Sequence, residues 1–231
     1  MNNLFNQSYK DFINQFLEKG YTATSFDALN LKEDNQLILR HDIDFDVYAA
    51  YQIAKIENEL NVKSTFFFLL RGDFYNLLND DSYNLINKIK SFGHDITLHY
   101  DMSIYNNSKR ELQNEIKIFE QFFNIKISII SIHRPSKEFL SNPNNYFKVT
   151  NTYENKFFKD TAYFADSGGR FRYGDPLDSE EFFSKKNIQL VIHPIWWVSN
   201  FNSVDETLNE LINKRSSNMR SLLQKNCKTF R

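Results

Sequence analysis

The sequence predicts an α/β fold, a parallel sheet with helices covering it. Short apolar runs of strand character alternate with stretches whose apolar residues recur at helical spacing. The runs are apolar at consecutive positions, as in strands buried on both faces. No internal repeat, low-complexity tract or Gly/Pro-rich linker interrupts the 231 residues, so residues 1–231 are expected to form a single domain with a full core. An open doubly wound sheet and a closed barrel both satisfy this pattern. The first strand-to-helix junction reads His41-Asp42-Ile43-Asp44-Phe45-Asp46 rather than a Gly-rich phosphate loop, which argues against a dinucleotide fold.

The elements follow in order. Ser8 caps a helix expected over about residues 8–19, with Phe12, Ile13, Phe16 and Leu17 as its apolar stripe and Gly20 as its stop. Leu37-Ile38-Leu39 is a strand running into the His41–Asp46 junction, and Ala50, Ile53, Ala54 and Leu60 mark the next helix. Ser64 to Leu70 is a β-prone strand, apolar on both faces. Tyr83, Ile86 and Ile89 form a helix that Gly93 ends before a strand from Asp95 to His99. Ser108 and Glu111 have capping-box spacing ahead of Leu112, Ile116, Phe119 and Phe123. Strands are expected at 127–132, 163–165 and 188–192, and a last helix at about 204–226.

Composition narrows the function. A formal net charge of -1 gives no general attraction to nucleic acid or to an anionic membrane. The one cysteine, Cys227, excludes a disulfide framework and a thiolate metal cluster. The first twenty residues lack the uninterrupted apolar core of a signal peptide, and no stretch approaches the ~20 apolar residues of a transmembrane segment. A cytoplasmic protein is the expectation. The 23 phenylalanines read first as an aromatic core.

Chemistry gathers at strand ends. Of the five histidines, His41, His99, His133 and His193 fall at or just past the C-terminal ends of expected strands, whereas His94 starts one and reads as structural. In a parallel barrel those ends form the face where active sites are built. Asp42 and Asp44 are two residues apart and so point the same way. Carboxylates that close repel unless a cation or proton separates them; a divalent metal would take one as ligand and leave the other as base. A lone Asp here more often caps a helix, a role that suits Asp46. His99 and His193 suit metal binding or acid–base work. The adjacent Trp196 and Trp197 either stack on a sugar face or pack the last helix onto the barrel. Asp166, Arg170 and Tyr173, in and beyond a Gly-rich stretch, are read as reaching the site, against the plain alternative of a surface loop.

In order, Arg40-His41-Asp42-Ile43-Asp44, Gly93 to Asp101, Ile132-His133-Arg134-Pro135 and Leu190 to Pro194 resemble the motifs of the polysaccharide deacetylase (NodB-homology) family over roughly residues 36–198. The likeness is greatest to the WbmS-like branch of lipopolysaccharide and capsule gene clusters. The resemblance implies a distorted (β/α) barrel, one divalent metal, commonly zinc, and hydrolysis of an N-acyl group on a sugar. It implies Asp42 as general base, Asp44 and His99 as metal ligands, Arg134 as partner of the base, His193 as general acid and Asp166 as the group orienting it. The family's second metal histidine corresponds to Ser103 here, leaving Asp101 or His133 to complete the shell. Tyr100, Arg170, Trp196 and Trp197 are the candidate substrate contacts. The expected substrate is a sugar or glycan, nucleotide- or lipid-linked, in surface polysaccharide or lipopolysaccharide biosynthesis. Two rival readings are a degenerate barrel that binds a glycan or partner protein, and an amidohydrolase acting on a non-sugar amide.

Overall fold

The computed structural model describes residues 4–106 and 108–231. Among the described residues, eight strands form one sheet: β1 (Thr22–Ala23), β2 (Gln36–Ile43), β3 (Thr65–Leu69), β4 (Asp95–Asp101), β5 (Ile129–His133), β6 (Thr150–Asn151), β7 (Ala162–Ala165) and β8 (Ile188–Ile192). Their order is β6-β5-β4-β3-β2-β8-β7, with β1 added against β2. Every pairing is parallel.

The helices are α1 (Tyr9–Lys19), α2 (Val47–Glu59), α3 (Asp80–Ser91), α4 (Ser108–Phe123), the short α5 (Lys137–Ser141), α6 (Pro143–Tyr146), α7 (Asn155–Phe158) and α8 (Glu180–Phe183), and the long α9 (Val204–Asn226). Their starts are written in the sequence. Ser8 accepts the Asp11 N–H, Asp46 that of Tyr48, and Ser203 that of Glu206, each closing an otherwise unpaired helix terminus.

The sheet curls into a distorted (β/α) barrel. Its two end strands, β6 and β7, are not hydrogen-bonded to each other among the described residues. Side chains fill the seam instead. Tyr153, just past β6, and Phe158 of α7 pack on Tyr163 of β7 with ring centroids 6.4 and 4.8 Å away. From β8, the Gln189 amide donates across the interior to the carbonyls of Thr152 and Phe157.

Alternation along each strand splits the core in two. The outward residues Leu37, Leu39, Phe66, Phe68, Leu98, Ile132, Leu190 and Ile192 meet the helices in the large core. A smaller plug of Phe26, Leu29, Ile38, Phe67, Ile129 and Phe157 fills the barrel floor. The inward positions above that plug are polar, and they make the site.

His41 belongs to the outer layer, not to the strand-end group in which its spacing places it. Its position alternates with those of Arg40 and Asp42, so its imidazole points at α2. There Nε2 lies 2.8 Å from Glu57 Oε1. Glu57 also accepts from the Tyr9 hydroxyl at 2.7 Å and the Ser64 hydroxyl at 2.6 Å, and His94 Nδ1 is 3.7 Å from Glu57 Oε2. This buried network ties α1 and α2 to β2, the strand that carries Asp42 and leads directly into Asp44.

Candidate metal centre

The site grows from β2. Arg40 and Asp42 face inward two residues apart, and their side chains form a bidentate pair: Arg40 Nε to Asp42 Oδ1 at 2.9 Å and Nη2 to Oδ2 at 2.7 Å. Both are buried. The guanidinium carbon sits 5.7 Å from the Phe67 ring centroid and 5.1 Å from that of Tyr153, and Nη1 reaches Gln189 at 3.4 Å. Burial opposes the charge on Asp42, but Arg40, then His99, hold its carboxyl well below the usual range.

One residue beyond the strand, Asp44 meets imidazoles from two neighbouring strands. Its Oδ1 lies 3.2 Å from His99 Nε2 and 3.4 Å from His133 Nδ1, and those two nitrogens are 3.2 Å apart. The atoms form a nearly equilateral triangle, and these three residues are the group among the described residues with metal-holding geometry. An ion ~2.0–2.2 Å from each of three tetrahedral ligands needs ligand–ligand edges of about 3.3–3.6 Å. The Asp44 Oδ1 atom is also buried without a hydrogen-bond partner, as a ligand oxygen facing a cation would be. The donor set of one carboxylate and two imidazoles therefore fits a divalent metal.

The surroundings prepare these donors. Ser131 Oγ lies 2.5 Å from His99 Nδ1, which fixes the ring and leaves Nε2 facing the triangle. Burial, then His99, lowers the pKa of His133 below its ordinary value, so it is neutral and able to ligate. Burial also opposes the charge on Asp44, yet His99 and His193 keep it ionised. Tyr75 holds the loop beneath, donating to the Ile43 carbonyl at 2.7 Å and accepting from Leu69 N–H at 2.8 Å.

His193 stands on the far side. Asp166 is fully buried and its Oδ1 lies 2.6 Å from His193 Nδ1. The same carboxylate accepts the His193 N–H and the Trp197 Nε1–H. His193 Nε2 is 3.7 Å from Asp44 Oδ2. Burial opposes protonation of this ring, but Asp166 and then Asp44 push its pKa up to about 9.

Five expectations are corrected. Arg134 does not pair with Asp42. It occupies a left-handed turn, φ 52°, that throws its side chain outward to Asp101, while Arg40 grips Asp42. Asp101 stands outside the metal-holding group because both its oxygens are engaged, one by Arg134 and one by Ser103 N–H and Oγ. Tyr100 is on the outer face, its hydroxyl donating to Ser108 O at 2.6 Å and its ring stacked on Tyr105. Trp196 and Trp197 are buried, with Trp197 stacked on Phe12 at 4.7 Å, and neither offers a rim to a sugar. Arg170 is exposed and does not line the cleft beside the triangle.

That cleft, of about 420 Å³, opens directly on the triangle. Asp44 and His133 form its floor and Phe45, Arg71, Phe74, Ile104 and Arg134 form its walls. Phe74 and Ile104 are exposed apolar residues. The roles of Arg40 and Ser131 escaped sequence reasoning although the signal was there: each lies two residues before a candidate on the same strand and therefore on the same face. Phe74 carried no such signal, since it sits in a loop.

No family model matches the chain, and no curated protein does. Among solved structures the chain is similar to the peptidoglycan deacetylase PdaC of Bacillus subtilis, with 11% identity, TM-score 0.47, and coverage of 86% of this chain and 100% of that one. It is similar to a family 4 carbohydrate esterase of Bacillus anthracis, with 15% identity, TM-score 0.45, and 94% of each chain covered. It is also similar to a family 4 acetyl xylan esterase of Clostridium thermocellum in complex with a cobalt ion, with 14% identity, TM-score 0.42, and coverage of 79% and 84%.

Proposed function

We propose that the chain is a metal-dependent hydrolase that removes an N-acyl group, acetyl in the first instance, from a sugar. The observation that carries this is the Asp44–His99–His133 triangle at the floor of an open cleft, with a buried carboxylate and an Asp-paired imidazole beside it. These three residues would hold the metal, zinc being the expected ion for one carboxylate and two imidazoles. When bound, the metal polarises the acyl oxygen and makes water acidic enough to attack near neutral pH.

The chain's own residues supply the rest. Asp42 Oδ2, 3.7 Å from His99 Nε2, accepts the attacking water's proton. Arg40 keeps that carboxylate ionised and aimed. His193, protonated at neutral pH, donates from Nε2 to the leaving amine. Asp166 fixes the ring so that Nε2 is the free nitrogen. In the cleft, Phe74 and Ile104 offer apolar walls to a pyranose face, and Arg71 and Arg134 offer donors to its oxygens. A nucleotide- or lipid-linked sugar, surface polysaccharide or lipopolysaccharide biosynthesis as the setting, and a cytoplasmic location extend the proposal on motif resemblance alone.

The test pairs metal content with acetate release from a panel of N-acetylated sugars. One divalent ion per chain is expected, lost in Asp44→Ala, His99→Ala or His133→Ala. Asp42→Asn should keep the ion and lose about 10²–10⁴-fold in turnover. Metal binding that survives all three ligand substitutions would sink the assignment. A metal-loaded protein that releases acyl groups from non-sugar amides but not from sugars would move it to the amidohydrolase reading.

A further inference from the structure

The last helix outruns the body it packs on. Its first turns are docked: Thr207 is buried, and Leu208 and Leu211 pack against the large core. Arg215 donates to the Phe45 carbonyl and lies over the Phe74 ring. From residue 216 onward every position is exposed. Yet the helix does not turn polar there. Ile212, Met219, Leu222 and Leu223 are 44–61% exposed. Their spacing of i, i+7, i+10 and i+11 places them on one side of the helix.

Charge marks what covers this stripe. Residues 211–231 contain six basic residues, Lys214, Arg215, Arg220, Lys225, Lys228 and Arg231, and no acidic residue. Lys214 is paired with Glu210 at 3.0 Å, and Arg220 lies over the Phe230 ring and donates to the Arg231 carbonyl. At 100° per residue, Lys214 and Lys225 fall to one side of the apolar stripe and Arg220 to the other. A second copy of this helix is a poor cover, because antiparallel or parallel pairing would bring like charges together. Aliphatic side chains flanked on both sides by cations on long stems suit a surface that is apolar inside and anionic at its boundary, with the cations reaching up to the headgroups.

We infer that the exposed half of α9 docks the protein on an anionic lipid bilayer, with Ile212, Met219, Leu222 and Leu223 entering the acyl boundary and Lys214, Arg220 and Lys225 meeting lipid headgroups. Arg215 joins this helix to Phe45 and Phe74 at the cleft rim, so docking sets the cleft beside the membrane surface. The inference does not depend on the hydrolase proposal, since its readout is lipid binding rather than turnover.

The experiment is co-sedimentation of the full chain with vesicles of phosphatidylcholine alone or containing about one third phosphatidylglycerol. Binding to the anionic vesicles should be at least about tenfold tighter, since several basic residues meet the anionic surface together, and should weaken at high salt. Met219→Glu with Leu222→Glu should abolish it while circular dichroism stays unchanged, because neither side chain is packed. Equal or absent binding to the two vesicle types overturns the inference, as does binding that the double substitution leaves intact. A wild-type dimer that the double substitution makes monomeric overturns it in favour of self-pairing. Binding to polyglutamate without vesicle binding overturns it in favour of an acidic protein partner.

Discussion

The buried Arg40–Asp42 pair decides how the floor of the site is built. Its attraction does not make it a large net source of stability, because both charges leave water to form it. Breaking it is another matter. Arg40→Met strands the Asp42 carboxylate in a buried position and should cost about 3–5 kcal/mol in urea unfolding. Arg40→Met combined with Asp42→Leu should recover most of that loss, since no unpaired charge remains. If the double variant is as unstable as the single one, shape rather than charge governs the position. Ser131 has a subtler effect. It touches no proposed ligand atom of the triangle, but it fixes His99 through Nδ1 at 2.5 Å. Ser131→Ala should therefore weaken zinc binding about 10–100-fold in chelator competition, with unfolding midpoints of the metal-free protein nearly unchanged.

At the scale of elements, the long periodic segments were readable and the short ones were not. The strands expected at 37–39, 64–70 and 188–192 became β2, β3 and β8 because runs of large apolar residues can be satisfied only by burial on two faces. β1 and β6 have two residues each, too few for any period to register, and they exist because neighbouring strands present open edges. Face was harder to read than element. Tyr100 and His99 are adjacent on β4, and only the second points inward. The two tryptophans that resemble a sugar platform became core because Asp166 takes the Trp197 N–H at 2.7 Å and Phe12 takes its ring. The Gly-rich stretch likewise serves packing at one position. Gly169 has φ 75°, and a Cβ there would stand 2.5 Å from Val204 Cγ2 at the start of α9. Gly169→Ala should destabilise by about 1–3 kcal/mol from overpacking, with backbone strain added. Adding Val204→Ala should relieve the clash and leave the strain, so partial recovery of the unfolding midpoint is expected.

For the whole molecule, averages hide arrangement. A net charge of -1 speaks against a membrane surface, but the six basic residues from 211 onward make one end of the chain cationic and leave the rest acidic. Titration behaves in the same divided way, because the barrel keeps two buried histidine environments with opposite shifts. On the outer face, burial lowers the pKa of His94, and the neighbouring Glu57 is held below its usual range by His41 although burial opposes it. Both groups take up protons more readily in the unfolded chain, so their contributions are present above the unfolded values, near 6.5 and 4.3, and are lost as pH falls through the lowered ones. At the mouth, Asp166 raises His193 to about 9. That contribution has the opposite sign: it is complete below ~6.5 and is lost as pH rises towards 9. The metal-free protein should therefore be most stable near pH 6–7, with urea midpoints falling on both sides. The two arms separate by substitution. His193→Gln should flatten the alkaline arm, whereas His94→Gln should leave that arm in place and make the acid arm only shallower, because Asp42, Asp44, Glu57 and His133 are also held below their ordinary values. An alkaline arm that persists in His193→Gln would mean that the Asp166–His193 pair does not carry the charge its 2.6 Å contact implies.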